Sequence, residues 1–126
     1  LQVKCTDTAT LFGRESHEKF YFWIRARIPL CTADDRLHRW MVVFASDTTP
    51  GVVTIRPHKK RELALVCTLD HIIHFHHHDI RADEWLLYEV EAICADAGRG
   101  FGRGRIWSAD GQLLVSVTQE ILLRAK

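Results

Sequence analysis

From Lys19 to Ile28 the side chains take turns: Phe20, Phe22, Ile24, Ala26 and Ile28 fall on one side of an extended chain, and Tyr21, Trp23, Arg25 and Arg27 on the other. A period of two is the signature of a half-buried strand, and Pro29 ends it because proline cannot donate to a ladder. The period then changes. Leu37, Trp40, Met41, Phe44 and Ala45 recur at helical spacing, which predicts one amphipathic helix with those residues as its apolar stripe. Thr32, three residues before Asp35, is the expected N-cap, and Thr48-Thr49-Pro50-Gly51 the break. Strands are predicted again over Leu63 to His76, Glu84 to Cys94 and Arg99 to Trp107, and a last one over Leu113 to Arg124 after the Asp110-Gly111 turn.

The resulting order, a strand, a single helix and then four strands, favours an α+β arrangement in which an antiparallel sheet wraps on a helix. Residues 1–18 are polar with weak periodicity and read as a leading segment outside the core, so the domain proper is 19–126. Gly98, Gly100, Gly102 and Gly104 recur at every second position. On one strand face their missing side chains would let a helix or another backbone approach closely.

Composition narrows the function classes. A chain of 126 residues, 47% apolar, buries one core and is too short for two domains of usual size. Its net charge of +1 gives no reason to expect nucleic acid or another polyanion as partner. The Arg99 to Arg105 run superficially resembles Gly-Arg repeats that bind RNA, but its shortness and near-neutral surroundings favour a strand. No apolar run approaches the roughly 20 residues that span a bilayer, and no signal-peptide pattern is present. The four cysteines are scattered without a C-x-x-C pair, which fits a reducing compartment. A start at Leu1 and a stop at Lys126 suggest a piece of a longer chain.

Three polar residues are out of place in this pattern. Asp47 falls on the helical stripe if the helix reaches it, Gln119 interrupts the row Leu113, Val115, Val117, Ile121 and Leu123, and Thr68 lies on the face of Ala64, Val66 and Ile72. Two readings are open. Asp47 caps the Thr48-Thr49 turn while Gln119 and Thr68 are ordinary satisfied strand residues, or the three form a buried polar site. His71, His74, His76, His77 and His78 invite a metal site, but no helical His-Glu motif or Cys cluster supplies further fixed ligands, so none is expected. Nor does any Cys-His pairing mark a cysteine nucleophile.

Several strings, taken together and in order, resemble the C-terminal half of type II acyl-CoA thioesterases, the bacterial thioesterase II and peroxisomal acyl-CoA thioesterase family. They are Phe44-Ala45-Ser46-Asp47, Thr68-Leu69-Asp70-His71, Phe75-His76, Asp83-Glu84-Trp85-Leu86-Leu87-Tyr88, Arg99-Gly100-Phe101, Asp110-Gly111 and Thr118-Gln119-Glu120. The resemblance implies a hot-dog fold, a long helix wrapped by an antiparallel sheet, and the second of two such repeats. It implies hydrolysis of fatty acyl-CoA to free acid and coenzyme A, without a cofactor, by a water that Asp47, Thr68 and Gln119 activate from one buried site. It also implies a second hot-dog as partner, and a peroxisomal location in a eukaryote or a cytoplasmic one in a bacterium. Lys59, Lys60, Arg61 and Arg103 are candidates for the coenzyme A phosphates, although surface Lys and Arg are usually only solvated. The rival reading is a non-catalytic hot-dog module that binds an acyl ligand or serves as a structural half.

Overall fold

The alternation at residues 19–28 becomes a strand, Lys19–Arg25, and the four strands expected after the helix lie where the pattern places them, within a few residues. The computed structural model describes residues 1–5, 19–30, 34–48, 54 and 63–126. In chain order the elements are β1 (Gln2–Cys5), β2 (Lys19–Arg25), α1 (Asp35–Ser46), β3 (Leu63–Phe75), β4 (Leu86–Asp96), β5 (Arg99–Trp107) and β6 (Leu113–Ala125). The six strands form one sheet in the order β1-β2-β4-β5-β6-β3, every neighbouring pair antiparallel. β1 is a short edge strand that the weak periodicity of residues 1–18 does not signal; it pairs with β2 from Gln2↔Arg25 to Cys5↔Phe22. β4 starts at Leu86 and not at Glu84, because Glu84 N–H closes a turn onto the Arg81 carbonyl. The basic loop at His58 to Arg61 lies outside the described residues.

Local chemistry explains the connections. β4 and β5 meet at Asp96↔Arg99 across Ala97 and Gly98, which have φ of 50° and 74°. Positive φ at both central residues is what a tight two-residue hairpin needs. Gly98 is therefore a turn residue and not part of the strand. The buried glycines on β5 make room, as expected, but for side chains: a Cβ on Gly104 would lie 2.5 Å from the Tyr88 ring, and one on Gly100 2.9 Å from Thr54 Oγ1.

α1 differs from expectation in two ways. Its N-cap is Asp34, whose carboxylate accepts the Arg36 N–H, and not Thr32, which lies outside the described residues. Its buried residues are His38, Val42, Ala45 and Ser46, with Met41 half-buried beside them, whereas Trp40 and Phe44 are each 62% exposed. At about 100° per residue, Leu37, Trp40 and Phe44 form a second apolar stripe roughly opposite the first. The apolar pattern mixes the two stripes. The sheet receives the one with small side chains at Val42 and Ala45, against Ile24, Leu86, Tyr88, Ile106 and Val115.

The start of α1 is tied to the segment before β4. Buried His38 accepts the Ala82 N–H at Nδ1 (3.0 Å), and Asp83 accepts the Leu30 N–H (2.9 Å) and pairs with Arg81 (3.0 Å). Burial alone would push the Asp83 carboxyl up, but the Leu30 N–H and the Arg81 guanidinium outweigh it and hold the carboxyl below its ordinary value. A depressed folded-state value contributes stability above the unfolded-state value, and that contribution is lost as pH falls through the folded-state value. Asp83→Asn is expected to cost about 2 kcal/mol at neutral pH, the range of a hydrogen bond to a charged group. Urea unfolding should show the gap to wild type closing as pH drops below about 4; a gap that persists in acid would mean that packing and not charge is lost.

Candidate active site

Asp47 is the C-cap of α1, still near helical angles at φ −82° and ψ −14°, so its carboxylate leaves the helix end towards β6. There Gln119 Nε2 donates to Asp47 Oδ1 at 2.6 Å and to Thr68 Oγ1 of β3 at 3.0 Å. The structure thus brings together all three residues singled out from the sequence, from positions 72 and 51 apart along the chain. Their burial is uneven. Gln119 is 2% exposed, while Asp47 and Thr68 open to the surface at the β3 edge, so the expected single buried site is half open in this chain.

A β-bulge makes the convergence possible. Thr68 pairs with Ile121 and Asp70 with Glu120, leaving Leu69 as the extra residue. The bulge reverses the alternation, so His71, Ile73 and Phe75 share a face with Thr68 and lie opposite Gln119, Val117 and Val115. Ile72, assigned to the Thr68 face by strict alternation, pairs with Thr118 and points the other way. Asp70 Oδ1 accepts the Glu120 N–H (3.2 Å) beside the irregularity.

Three supporting residues escape sequence reasoning. Ser46, fully buried just before Asp47, donates from Oγ to the Val43 carbonyl (2.7 Å) and meets His71 Nε2 at 2.8 Å. Its carbonyl accepts the hydroxyl of buried Tyr88 (2.7 Å). Ser46, His71 and Tyr88 each stand inside a string quoted above, yet only the register and the bulge place them together. Gln119 Oε1 and His71 Nδ1 are both buried without a hydrogen-bond partner among the described residues.

The other candidates lie apart from this cluster. His76 meets Ser116 (2.8 Å) and His77 meets Gln112 (3.2 Å). Among the described residues no group of three or more His, Cys, Asp or Glu is placed to hold a metal ion. Arg103 is ion-paired with Glu91 at 2.6 Å, on an exposed position of β5 that alternates with its buried glycine row. Lys59, Lys60 and Arg61 lie outside the described residues. No helix among the described residues is long and apolar enough to cross a membrane.

A six-stranded antiparallel sheet holding a helix such as α1 against its buried face is the hot-dog architecture, and solved structures bear this out. The acyl-CoA thioesterase II TesB2 from Mycobacterium marinum superposes with a TM-score of 0.83 at 33% identity, over 99% of this chain and 49% of that one. A hot-dog protein of unknown function from Alicyclobacillus acidocaldarius, 22% identical, shares the fold with a TM-score of 0.68.

The family follows from the sequence match: residues 3–123 fit the acyl-CoA thioesterase C-terminal domain, and the chain belongs to that family. It is 34% identical to acyl-coenzyme A thioesterase 8 of Mus musculus, over all of this chain and 40% of that protein. It is 33% identical to acyl-CoA thioesterase 2 of Haemophilus influenzae, over 82% of this chain and 37% of that one. The chain thus spans well under half the length of these curated relatives.

Proposed function

We propose that this chain is the second hot-dog half of an acyl-CoA thioesterase, and that Asp47, Thr68 and Gln119 position the water that hydrolyses the thioester. The observation that carries the reading is the Gln119 amide bridging the Asp47 carboxylate and the Thr68 hydroxyl. With one carboxylate oxygen fixed by Gln119, the other accepts a proton from water as the water oxygen attacks the thioester carbonyl carbon. Thr68 accepts from Gln119 through Oγ1, so its own hydrogen is available to orient that water. Collapse of the tetrahedral intermediate breaks the C–S bond, the carboxylic acid departs, and the coenzyme A thiolate takes up the proton. The step uses no cofactor and no acyl-enzyme.

The same reading assigns the partner. β3 is the last strand of the sheet among the described residues, and Leu65, Val66, Leu69, Ile72 and Phe75 along it are exposed. A long apolar edge strand is a template for another strand, and the outer stripe of α1 adds Trp40 and Phe44. A second hot-dog, the other repeat of the same chain or another copy, covers this edge and closes the half-open site. Water exclusion of this kind strengthens the electrostatics that the chemistry needs. By the same family reading the enzyme works in the peroxisome of a eukaryote or the cytoplasm of a bacterium.

The test is thiol release from a series of fatty acyl-CoA lengths by the full-length parent. Hydrolysis is expected, unchanged by prolonged chelation. A metal-restored loss would redirect the mechanism, and no release at any length would leave the non-catalytic module as the better account. In parallel, the 126 residues produced alone should associate or aggregate across a wide concentration range; a stable, fully active monomer would remove the partner from the proposal.

A further inference from the structure

We infer that His71 is a positioning residue for the reaction, acting on Asp47 through Ser46, an inference that rests on the proposed thioesterase site. A helix end is where a helix frays, and Asp47 sits one residue beyond the last turn of α1. Without an anchor its carboxylate would wander over distances that matter, since misplacement by about 1 Å can cost on the order of a hundredfold in rate.

Ser46 supplies the anchor from two sides. Its carbonyl is held by the Tyr88 hydroxyl on β4, and its Oγ meets His71 Nε2 on β3. The Ser46 hydroxyl hydrogen is committed to the Val43 carbonyl. The hydrogen-bond network therefore assigns the imidazole hydrogen to Nε2, which donates to Oγ. The assignment agrees with Nδ1, which is buried and has no acceptor within reach among the described residues. His71 is also the cross-strand partner of Gln119. One short stretch of β3 thus carries Thr68, which Gln119 contacts, and the imidazole that holds the residue before Asp47. The Leu69 bulge is what puts both on one face.

The experiment uses the full-length protein with acyl-CoA and compares His71→Leu, His71→Gln and Tyr88→Phe. His71→Leu should lower kcat about 10- to 100-fold with KM changed less than about threefold. Glutamine carries an N–H at roughly the reach of imidazole Nε2, so His71→Gln should recover most of the loss. The decisive arm is the double substitution. In an Asp47→Asn background His71→Leu should cost nothing further, because the group it positions is already gone.

Additive losses, or a His71→Gln variant as impaired as His71→Leu, would overturn the inference. If His71→Leu does not fold, Tyr88→Phe removes one oxygen from the same anchor and should lower kcat several-fold at constant KM; unchanged kcat there would count equally against it. A wild type that hydrolyses no acyl-CoA would sink the thioesterase reading itself, whereas an active wild type with an equally active, folded His71→Leu variant sinks only the role of His71.

Discussion

Full-length enzyme carrying Asp47→Asn is expected to fold normally and to lose about 10² to 10⁴ in kcat, on the order of 3 to 5 kcal/mol of transition-state stabilisation. Asparagine is the informative replacement because its side-chain oxygen still accepts the hydrogen bond that Gln119 Nε2 gives to Asp47 Oδ1, so the geometry survives while the proton acceptor is lost. KM should move far less than kcat, since the carboxylate acts on the water and not on the acyl chain. Thr68→Ala and Gln119→Ala should each cost less, because each removes an orienting contact and leaves the base. The three act on one water, so double variants should lose less than the sum of the single losses expressed as free energies. Steady-state kinetics with a circular-dichroism check of folding decides it. A folded Asp47→Asn enzyme with near-parental kcat would show that the water is activated elsewhere.

Gly104→Ala is expected to damage the core from β5 by overpacking it. Its Cβ would lie 2.5 Å from Tyr88 Cε2 and 2.9 Å from the Tyr88 hydroxyl, closer than real Cβ contacts come. Tyr88 is fully buried, in a core that also holds Val90, Ile106 and Val115. Overpacking of this kind typically costs about 1–3 kcal/mol, and a shift in Tm on the order of 5 °C per kcal/mol follows for a domain of this size. A ring pushed off Gly104 also carries its hydroxyl away from the Ser46 carbonyl, so kcat should fall in the fraction that remains folded. Thermal unfolding and kinetics on the same preparation separate the two effects. Parental Tm would mean that β5 moves aside instead of the ring, and the slot would then have no bearing on Ser46.

Much of this fold is legible as alternation. β5 occupies the very span the pattern predicts, Arg99–Trp107, and β2, β3 and β6 are displaced only at their ends. What the pattern misassigns is a matter of choice between equals. Trp40 and Phe44 are as apolar as anything on α1, and only packing reveals that the sheet takes His38, Val42 and Ala45 instead. A polar His38 inside the core defeats any reading by hydropathy, because what receives it there is the Ala82 backbone N–H, with the Asp83 carboxylate 3.8 Å away. In the site, Asp47, Thr68 and Gln119 stand out because their polarity is misplaced, and the family strings coincide with them. Ser46, His71 and Tyr88 do not stand out: serine ends many helices, histidine is abundant nearby, and tyrosine suits any strand. Their significance lies in partners fixed by register.

Flattening the bulge at Leu69 would leave every amino acid in place and still dismantle the site. If Leu69 were drawn into the ladder as a paired residue, one side of β3 would have to slip by a single position relative to β6, and the inward and outward sets on that side would exchange: His71 would turn to solvent, or Thr68 would. The strand behaves like a combination dial, on which residues 65–68 and 70–75 are two separately set rings and Leu69 is the offset between them. Chemistry at this edge is therefore encoded in a count as much as in an alphabet. A relative that matches this chain letter for letter across Thr68-Leu69-Asp70-His71 but pairs all four residues in regular register would share its vocabulary without sharing its site.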